Sequence, residues 1–366
     1  MKVKDWNYAD FGGRYIVPED YHRRLRELEL RRELVGTSFE GRPLTLYSKG
    51  NGTRKVLVWS QMHGNEPTGT LSMLDILSNY SSELAKLEDV SIHFLPIINP
   101  DGALRFTRRN AQGVDINRDA HDLSTDEGKI LMQVIERLKP ELCLNLHDQR
   151  TCFSAGEGSA PAVFAVLAPS AGKEKPTNDA RKKAIQILNA ALGDLMPNEN
   201  ISRFTDEFYP KAFGDQLQAL GFCNILLEAG ARYHDKERWE ARAITGKCTL
   251  SILHHFSSNT LMKSNTYESL PLNKESLEDV IFRNVVWKIG KRKWKGQKSF
   301  RRTEIVKDGS LVYGLKLVDQ GDLSHKSSHI EVSEEIEMNE VFQLESDLSK
   351  TSFVSDRRIR SFSEFI

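Results

Sequence analysis

Hydrophobic residues follow two patterns along the first two thirds of the chain. Short apolar runs rich in β-branched residues predict strands at Lys55–Ser60, Val90–Ile98, Glu141–His147, Ala162–Ala168 and Phe222–Glu228. Apolar residues repeated at helical spacing predict helices at Thr68–Tyr80, Thr125–Leu138, Asp179–Leu195 and Lys236–Phe256, and an exposed helix of mixed charge at Arg23–Glu33. Strands alternating with helices predict an α/β fold, with a mixed, largely parallel sheet and helices on both faces.

The pattern changes after about residue 263, where helical spacing gives way to short strands and polar turns. Candidate strands lie at Val280–Lys288, Ser310–Val318, His329–Val332 and Val341–Leu344. We therefore predict two domains: an α/β domain at 1–265, and a small all-β domain at 266–366 that supplies no ligand to the site described below.

Composition and charge narrow the function classes. The 366 residues include 51 basic and 51 acidic side chains, a balance that argues against a globally basic nucleic-acid binder. The basic run Lys291–Arg302 is more typical of a solvated hairpin than of a site for an anionic ligand.

No apolar run is long enough to span a bilayer, and no secretory signal opens the sequence, so we expect a cytoplasmic location. The four scattered cysteines do not suggest a disulfide framework.

The most informative segment joins a predicted strand to a predicted helix, QMHGNEPTG at residues 61–69. His63 and Glu66 lie three residues apart and can reach one metal ion, and His147 ends another strand at the same sheet edge, where open α/β folds place their sites. Taken alone, HxxE is more typical of a capped loop, and a strand-end histidine of a surface residue. Together they form the ligand set of a catalytic zinc ion with one open position.

Two further segments carry groups suited to act beside a metal ion. Glu228 ends an almost wholly apolar strand, where it would be placed to accept a proton from water. The polar segment 99–119 contains Arg108 and Arg118, and arginine is the natural partner of a carboxylate. By itself this segment is also compatible with a loop held together by its own Asn and Asp side chains.

In this order, these segments resemble the zinc carboxypeptidase family, the carboxypeptidase A-like M14 metallopeptidases. The matching motifs are EGRPL at Glu40–Leu44, HGNEP at His63–Pro67, NPDG at Asn99–Gly102, RxNAxGVDxNRD at Arg108–Asp119 and the strand-ending Glu228. The run RRNAQGVDINRD is especially similar to the small bacterial murein-peptide amidase type. The resemblance covers roughly residues 30–260 and implies a zinc carboxypeptidase-like fold for them.

The resemblance implies a role for each residue of the predicted metal centre. His63, Glu66 and His147 match the ligands of a single Zn²⁺ ion. Glu228 matches the general base that activates the zinc water, and Arg108 matches the arginine that polarises the scissile carbonyl group.

Substrate-binding residues follow from the same resemblance. Asn117 and Arg118 match the pair that holds the terminal carboxylate, and Asp115 matches a structural residue that supports their turn. Tyr209 is the nearest upstream candidate for the mobile tyrosine of the family, and Tyr233 is a weaker one.

Side-chain preference is open at this stage. Phe208, Phe213 and Asp215 are candidates for the residue that contacts the leaving side chain. Asp215 would favour a basic or amino-bearing side chain, but it is equally typical of a solvated helix residue.

The resulting hypothesis is a zinc-dependent metallopeptidase that hydrolyses an amide bond next to a free C-terminal carboxylate. Its expected partner is a peptide or a peptidoglycan-derived peptide, with no nucleic acid and an open oligomeric state. The alternatives are an N-acyl amino acid deacylase of the aspartoacylase or succinylglutamate desuccinylase type, and a non-catalytic peptide-binding homologue.

Overall fold

The computed structural model describes residues 5–158, 160–195, 200–289, 291–338, 352–355 and 358–361. The helices are α1 (Pro18–Arg26), α2 (Thr68–Asn79), α3 (Ser81–Leu84), α4 (Pro100–Arg105), α5 (Asp126–Leu138), α6 (Asp179–Leu195), α7 (Phe213–Ala219), α8 (Trp239–Ser257) and α9 (Thr266–Ser269). The strands are β1 (Arg31–Thr37), β2 (Pro43–Lys49), β3 (Arg54–Ser60), β4 (Val90–Leu95), β5 (Leu142–Asp148), β6 (Phe153–Ala155), β7 (Phe164–Leu167), β8 (Ile201–Arg203), β9 (Asn224–Ala229), β10 (Asn273–Glu275), β11 (Leu277–Ile289), β12 (Arg292–Lys307), β13 (Ser310–Gly321), β14 (Ser327–Met338), β15 (Ser352–Ser355) and β16 (Arg358–Ser361).

An eight-stranded sheet, which we call the core sheet, has the strand order β1-β2-β4-β3-β5-β9-β7-β8. Its central strands β4, β3, β5 and β9 are parallel to one another. The antiparallel contacts lie toward the two edges, between β1, β2 and β4 and between β7 and β9. The predicted mixed, largely parallel sheet is confirmed.

Helices cover both faces of the core sheet. Alternate residues of β3 belong to different apolar clusters because successive side chains of a strand point to opposite faces. Val56 and Val58 pack in a cluster with residues of α2, α6 and α8. Leu57 and Trp59 pack in a second cluster with residues of α5 and α7. Burial on both sides explains why these strands are almost continuously apolar in sequence.

Most predicted elements agree with the structure to within a few residues, and one does not. Thr125 caps α5, since its side-chain oxygen accepts a hydrogen bond of 3.1 Å from the N–H of Gly128. The predicted exposed helix at Arg23–Glu33 is wrong. The helix ends at Arg26, and Arg31–Thr37 forms the edge strand β1, paired antiparallel with β2. Backbone pairing with β2, which mixed surface charges do not reveal, decides the conformation there.

Six further strands form a C-terminal sheet with the order β13-β12-β11-β14-β15-β16, and β6 and β10 pair in a separate two-stranded sheet. A C-terminal all-β region is thus confirmed, and the basic run 291–302 largely belongs to strand β12. The predicted strand at 341–344 lies outside the described residues. The boundary at 265/266 stays a prediction, although Tyr267 and Leu270 pack in the core-sheet cluster and β10 pairs with β6.

Two further observations concern disulfide bonds and membrane-spanning helices. Cys143, Cys152, Cys223 and Cys248 are all buried free thiols. Within the described ranges, none of the helices combines the length and apolar character that crossing a membrane requires.

Candidate metal centre and active site

Three neighbouring parallel strands end at the same edge of the core sheet and bring the predicted site together. His63 and Glu66 lie in the loop between β3 and α2. His147 and Glu228 are direct register partners near the ends of β5 and β9. Residues far apart in sequence therefore meet because parallel strands align their carboxyl ends.

His63, Glu66 and His147 form a buried cluster whose potential ligand atoms all lie within 4.8 Å of one another. Nδ1 of His63 lies 2.8 Å from one oxygen of Glu66, and Nδ1 of His147 lies 2.7 Å from the other. Ligand atoms about 2.0–2.2 Å from one zinc ion are separated by about 3–4 Å. The cluster therefore converges on one point, as predicted from the sequence.

A hydrogen bond behind the cluster orients His63 for metal binding. Its Nε2 lies 3.0 Å from the carboxylate of Asp115, which directs Nδ1 toward Glu66. Carboxylate–histidine pairs of this kind fix the ring tautomer in metal sites. Two imidazole nitrogens, one carboxylate and this support fit zinc. Asp115 also accepts a bond from the N–H of Asn117, so the structural role predicted for it is compatible with its contacts.

Electrostatics favour the metal-binding protonation states of Glu66 and His147. Burial opposes ionisation of Glu66, but the two adjacent imidazoles outweigh it and hold the pKa of that carboxyl well below its ordinary value. Burial lowers the pKa of His147, whereas the carboxylates of Glu66 and Asp115 outweigh burial at His63 and raise its pKa. An ionised Glu66 and a neutral His147 are the forms that coordinate metal ions.

Glu228 is a buried carboxyl group beside this cluster. Burial raises its pKa well above the ordinary value, and repulsion from Glu66 and Asp148 adds to the effect. A carboxyl group with a raised pKa holds a proton more readily than a solvent-exposed one. The position and the basicity both suit a residue that accepts a proton from water.

Arg108 extends over the cluster of His63, Glu66 and His147. Its Nη1 donates to Glu66 at 3.3 Å and lies 3.1 Å from Nδ1 of His63. Its Nε donates to Asp115 at 3.0 Å, while 44% of the side chain remains exposed. A guanidinium anchored on one side and open on the other can donate to a ligand in the cleft.

Asn117 and Arg118 follow on the same loop, but their side chains diverge. The side-chain oxygen of Asn117 accepts a hydrogen bond of 3.0 Å from the N–H of Phe213. Its side-chain nitrogen lies 3.5 Å from Nε2 of His147. Arg118 is exposed, donates to the backbone oxygen of Asn117 and stacks 5.1 Å from the ring centre of Tyr209. Tyr209 itself is 46% exposed. Arg118 and Tyr209 thus line one accessible wall.

The candidates for side-chain recognition separate clearly. Phe213 is fully buried in the cluster with α5, so it is not available to a substrate. Phe208 is partly buried. Asp215 is buried in the first turn of α7, and its Oδ1 has no hydrogen-bond partner. Burial raises its pKa to about 7, so it is not the solvated helix residue that was the alternative. Tyr233 instead packs edge-on against His329 of the C-terminal sheet.

Close backbone contact joins two of the sequence motifs. A Cβ atom added to Gly64 would lie 2.0 Å from the carbonyl carbon of Gly102, so only glycine fits there. Asn99 strengthens this junction: its N–H donates to Gln61, its side-chain oxygen accepts from the N–H of Gly102, and its amide donates to the carbonyl of Arg108. The loop with His63 and Glu66 and the loop with Arg108 therefore form one unit.

Three residues near the site were missed in the sequence. Asp148, directly after His147, is buried and hydrogen-bonded to Thr68, and it lies near Arg14 and Arg238. An acid adjacent to a predicted ligand was a usable signal. The two arginines lie in segments with no motif, and only the fold brings them close.

Comparison with known proteins agrees with this geometry. Residues 27–155 match the family model described as Peptidase M14, zinc carboxypeptidase. Carboxypeptidase 2 of Trichophyton rubrum is 29% identical over 175 residues, 46% of this chain and 29% of that protein. Murein peptide amidase A of Escherichia coli K12 is 25% identical over 243 residues, 56% of this chain and 91% of that protein. The chain spans less than a third of the fungal carboxypeptidases that it matches.

Solved structures share the fold. A metallo-carboxypeptidase from Pseudomonas aeruginosa, in complex with (2-guanidinoethylmercapto)succinic acid, has a TM-score of 0.52 at 20% identity and covers 66% of this chain and 69% of that chain. A metallo-carboxypeptidase from Burkholderia cenocepacia has a TM-score of 0.51 at 18% identity, covering 66% and 68%. The fold predicted from the motifs is confirmed.

Proposed function

Because the chain carries a domain of the zinc carboxypeptidase family, we propose that it is a zinc-dependent metallopeptidase that hydrolyses an amide bond next to a free C-terminal carboxylate. The observation that carries the proposal is the convergence of His63, Glu66 and His147 at one point, with Glu228 beside them. A binding protein would need the cleft but would not need a buried carboxyl group of raised pKa next to a metal centre.

The residues of the site divide the chemistry among them. Zinc held by His63, Glu66 and His147 would polarise the scissile carbonyl group and make water more acidic. Glu228 would accept the proton of the attacking water and return it to the leaving amine. Arg108, already anchored to Asp115, would donate a hydrogen bond to the carbonyl oxygen as negative charge develops there.

Recognition of a free carboxylate is assigned to the exposed wall of the cleft. Arg118 offers a planar fork of donors, and its stacking on Tyr209 restricts where that fork points. The Asn117 side chain is committed to Phe213 and lies beside His147, so in this conformation it contributes by holding the loop. Movement of Tyr209, which is about half exposed, would bring its hydroxyl to the substrate.

The leaving residue is proposed to carry a basic or amino-bearing side chain. Asp215 lies close enough to Arg118 and Tyr209 for their interactions to affect its pKa, and its Oδ1 is buried without a hydrogen bond. A buried acceptor without a partner is costly and is satisfied best by a charged donor. Diamino acid residues of peptidoglycan-derived peptides offer such a donor.

The test combines metal analysis with matched substrates. The protein is analysed for bound zinc and incubated with a peptide library that includes γ-D-glutamyl-diaminopimelate fragments, each as free acid and as C-terminal amide. Products are read by mass spectrometry. We expect one zinc per chain and cleavage of free acids only.

Other outcomes identify the alternatives. Hydrolysis of N-acyl amino acids without peptide cleavage would point to a deacylase. Zinc binding and peptide binding without turnover would point to a non-catalytic homologue. Equal cleavage of free acids and amides would rule out carboxylate recognition.

A further inference from the structure

A buried carboxylate lies directly behind the candidate metal centre. Asp148 follows His147 on β5, and only 2% of its side chain is exposed. Its carboxylate accepts from the hydroxyl of Thr68 at 2.6 Å and from the N–H of Thr68 at 3.2 Å. Its own N–H donates to Glu66 at 3.2 Å. Asp148 therefore ties the strand that carries one ligand to the loop that carries another.

Two buried arginines balance this charge. Nη2 of Arg14 and Nη1 of Arg238 lie 3.9 and 3.7 Å from the carboxylate of Asp148. Arg238 also donates to the carbonyl of Gln149, which directly follows β5, and to the carbonyl of Ala229, which is the last residue of β9. Buried carboxylates are costly unless positive charge accompanies them. The two arginines supply that charge.

The C-terminal sheet holds Arg14 in place. Nη1 of Arg14 forms an ion pair with Glu304 on β12, and the N–H of Arg14 donates to Glu237 at 3.0 Å. The hydroxyl of Tyr313 donates to the other oxygen of Glu237 at 2.8 Å. Glu304 and Tyr313 are register partners on β12 and β13. Arg14 is thus placed between a carboxylate of each sheet.

We propose that Arg14 and Glu304 are positioning residues of the metal centre. The inference rests on the proposed function in taking His63, Glu66 and His147 as metal ligands. Glu304 draws the guanidinium of Arg14 away from Asp148 and keeps it beyond hydrogen-bond distance of that carboxylate. The carboxylate of Asp148 therefore remains bonded to Thr68, which holds the Glu66 loop against β5.

Removing the charge of Glu304 has a specific consequence. Arg14 would lose its stronger partner and turn to the nearest other carboxylate, Asp148. A direct pair with Arg14 would compete with the bonds to Thr68 and release the loop that carries Glu66. Residues that orient metal ligands from behind typically affect metal affinity or activity by about 10–100-fold when changed.

The test uses the full chain loaded with Co²⁺, whose visible absorption bands report ligand geometry without any need for turnover. The variants are Glu304→Gln and Arg14→Lys, which keeps the charge but loses the fork that reaches two carboxylates. The control is Glu278→Gln. Glu278 is also an ion-paired carboxylate of the C-terminal sheet and is more deeply buried than Glu304, but its partners Arg301 and Lys326 form no ion pair with Asp148.

We expect Glu304→Gln and Arg14→Lys to shift the cobalt bands and to lower kcat for a good peptide about tenfold, with KM within about twofold. Glu278→Gln should leave bands and kcat unchanged. Wild-type bands in folded Glu304→Gln protein would overturn the proposal. If that variant does not fold, unshifted bands in Arg14→Lys would do so.

Failure of the proposed function is distinguishable from failure of this inference. A wild-type protein that binds Co²⁺ but cleaves no substrate refutes the peptidase proposal, while the band comparison still decides the roles of Arg14 and Glu304. A wild-type protein that binds no Co²⁺ refutes the metal centre, and the positioning roles fall with it.

Discussion

The core sheet and the C-terminal sheet of this protein are stabilised in different ways. The core sheet is covered on both faces, and its central strands are apolar almost throughout. The C-terminal sheet has a much smaller cluster, made by Val280, Phe282, Val285, Phe300, Leu315 and Val332. The contacts between the two regions include the ion pair Arg14–Glu304 and the hydrogen bonds Tyr313–Glu237 and His329–Thr151.

The two sheets therefore contribute to the candidate site in different ways. Buried parallel strands supply a rigid edge on which reactive groups are aligned. The smaller sheet, joined by polar contacts, places the carboxylate of Glu304 beside Arg14. The experiments below separate these two contributions, beginning with changes to the core sheet.

The largest effect is expected from Glu228→Gln. The amide cannot accept a proton from water, so kcat should fall by about 10²–10⁴-fold while zinc content stays at one per chain. Peptide hydrolysis and elemental analysis measure both quantities. Glu278→Gln, a carboxylate of the C-terminal sheet, is the matched control. Activity close to wild type in the Glu228 variant would assign the base to another residue.

The next largest effect distinguishes the roles of Arg108 and Arg118, which lie on one loop. Arg118→Ala should raise KM for free-acid peptides, because their carboxylate loses a charge-assisted contact with the guanidinium. Arg108→Ala should mainly lower kcat, because its donor acts on developing charge. Steady-state kinetics of both variants on one substrate provide the comparison. The same KM increase in both would remove the distinction.

Removal of the C-terminal sheet tests the boundary between the two regions. A chain cut after Glu275 keeps Tyr267, Leu270 and β10, which pack or pair with the core region. We expect it to fold and bind zinc but to lose about 10–100-fold in kcat, because Arg14 loses Glu304. Circular dichroism, zinc analysis and kinetics check each part. Loss of zinc from a folded truncated chain would contradict the prediction that this region supplies no ligand.

The last effect concerns stability and pH at Asp215, and it acts on folding and not on turnover. Its pKa is raised from 3.8 to about 7, so the folded protein holds a proton that the unfolded chain releases. Between these values, rising pH should destabilise wild type relative to Asp215→Asn by about 1.4 kcal/mol per pH unit. Denaturant unfolding of both proteins at pH 4 to 8 measures this difference. A pH-independent difference would show that the carboxyl group titrates normally.

The sequence predicts the core sheet well because burial on both faces leaves continuous apolar runs, as in β5 and β9. The proximity of His63, Glu66 and His147 could also be predicted from the sequence, since His63 and Glu66 share one loop and His147 lies near the end of a strand. Arg23–Glu33 was misjudged because an edge strand and an exposed helix carry similar charges. Pairing with β2, rather than any side-chain pattern, distinguishes them.

Arg14 and Glu304 could not have been found in this way. They are separated by 290 residues, and neither lies in a motif. Their proximity depends on how the two sheets pack, which no local periodicity encodes. Asp148 could have been predicted, because an acidic residue next to a predicted metal ligand often supports the ligands through hydrogen bonds.

The contact between Gly64 and Gly102 has a wider consequence for how such a site can be altered. The two backbones are in direct contact, so a side chain introduced at residue 64 would push them apart. The Arg108 loop would then move away from both His63 and Glu66. Metal affinity and stabilisation of negative charge on the substrate therefore cannot be tuned independently by substitutions at this junction. Redesign of specificity is better directed to Tyr209 and Asp215, which lie in a segment separate from the two joined loops.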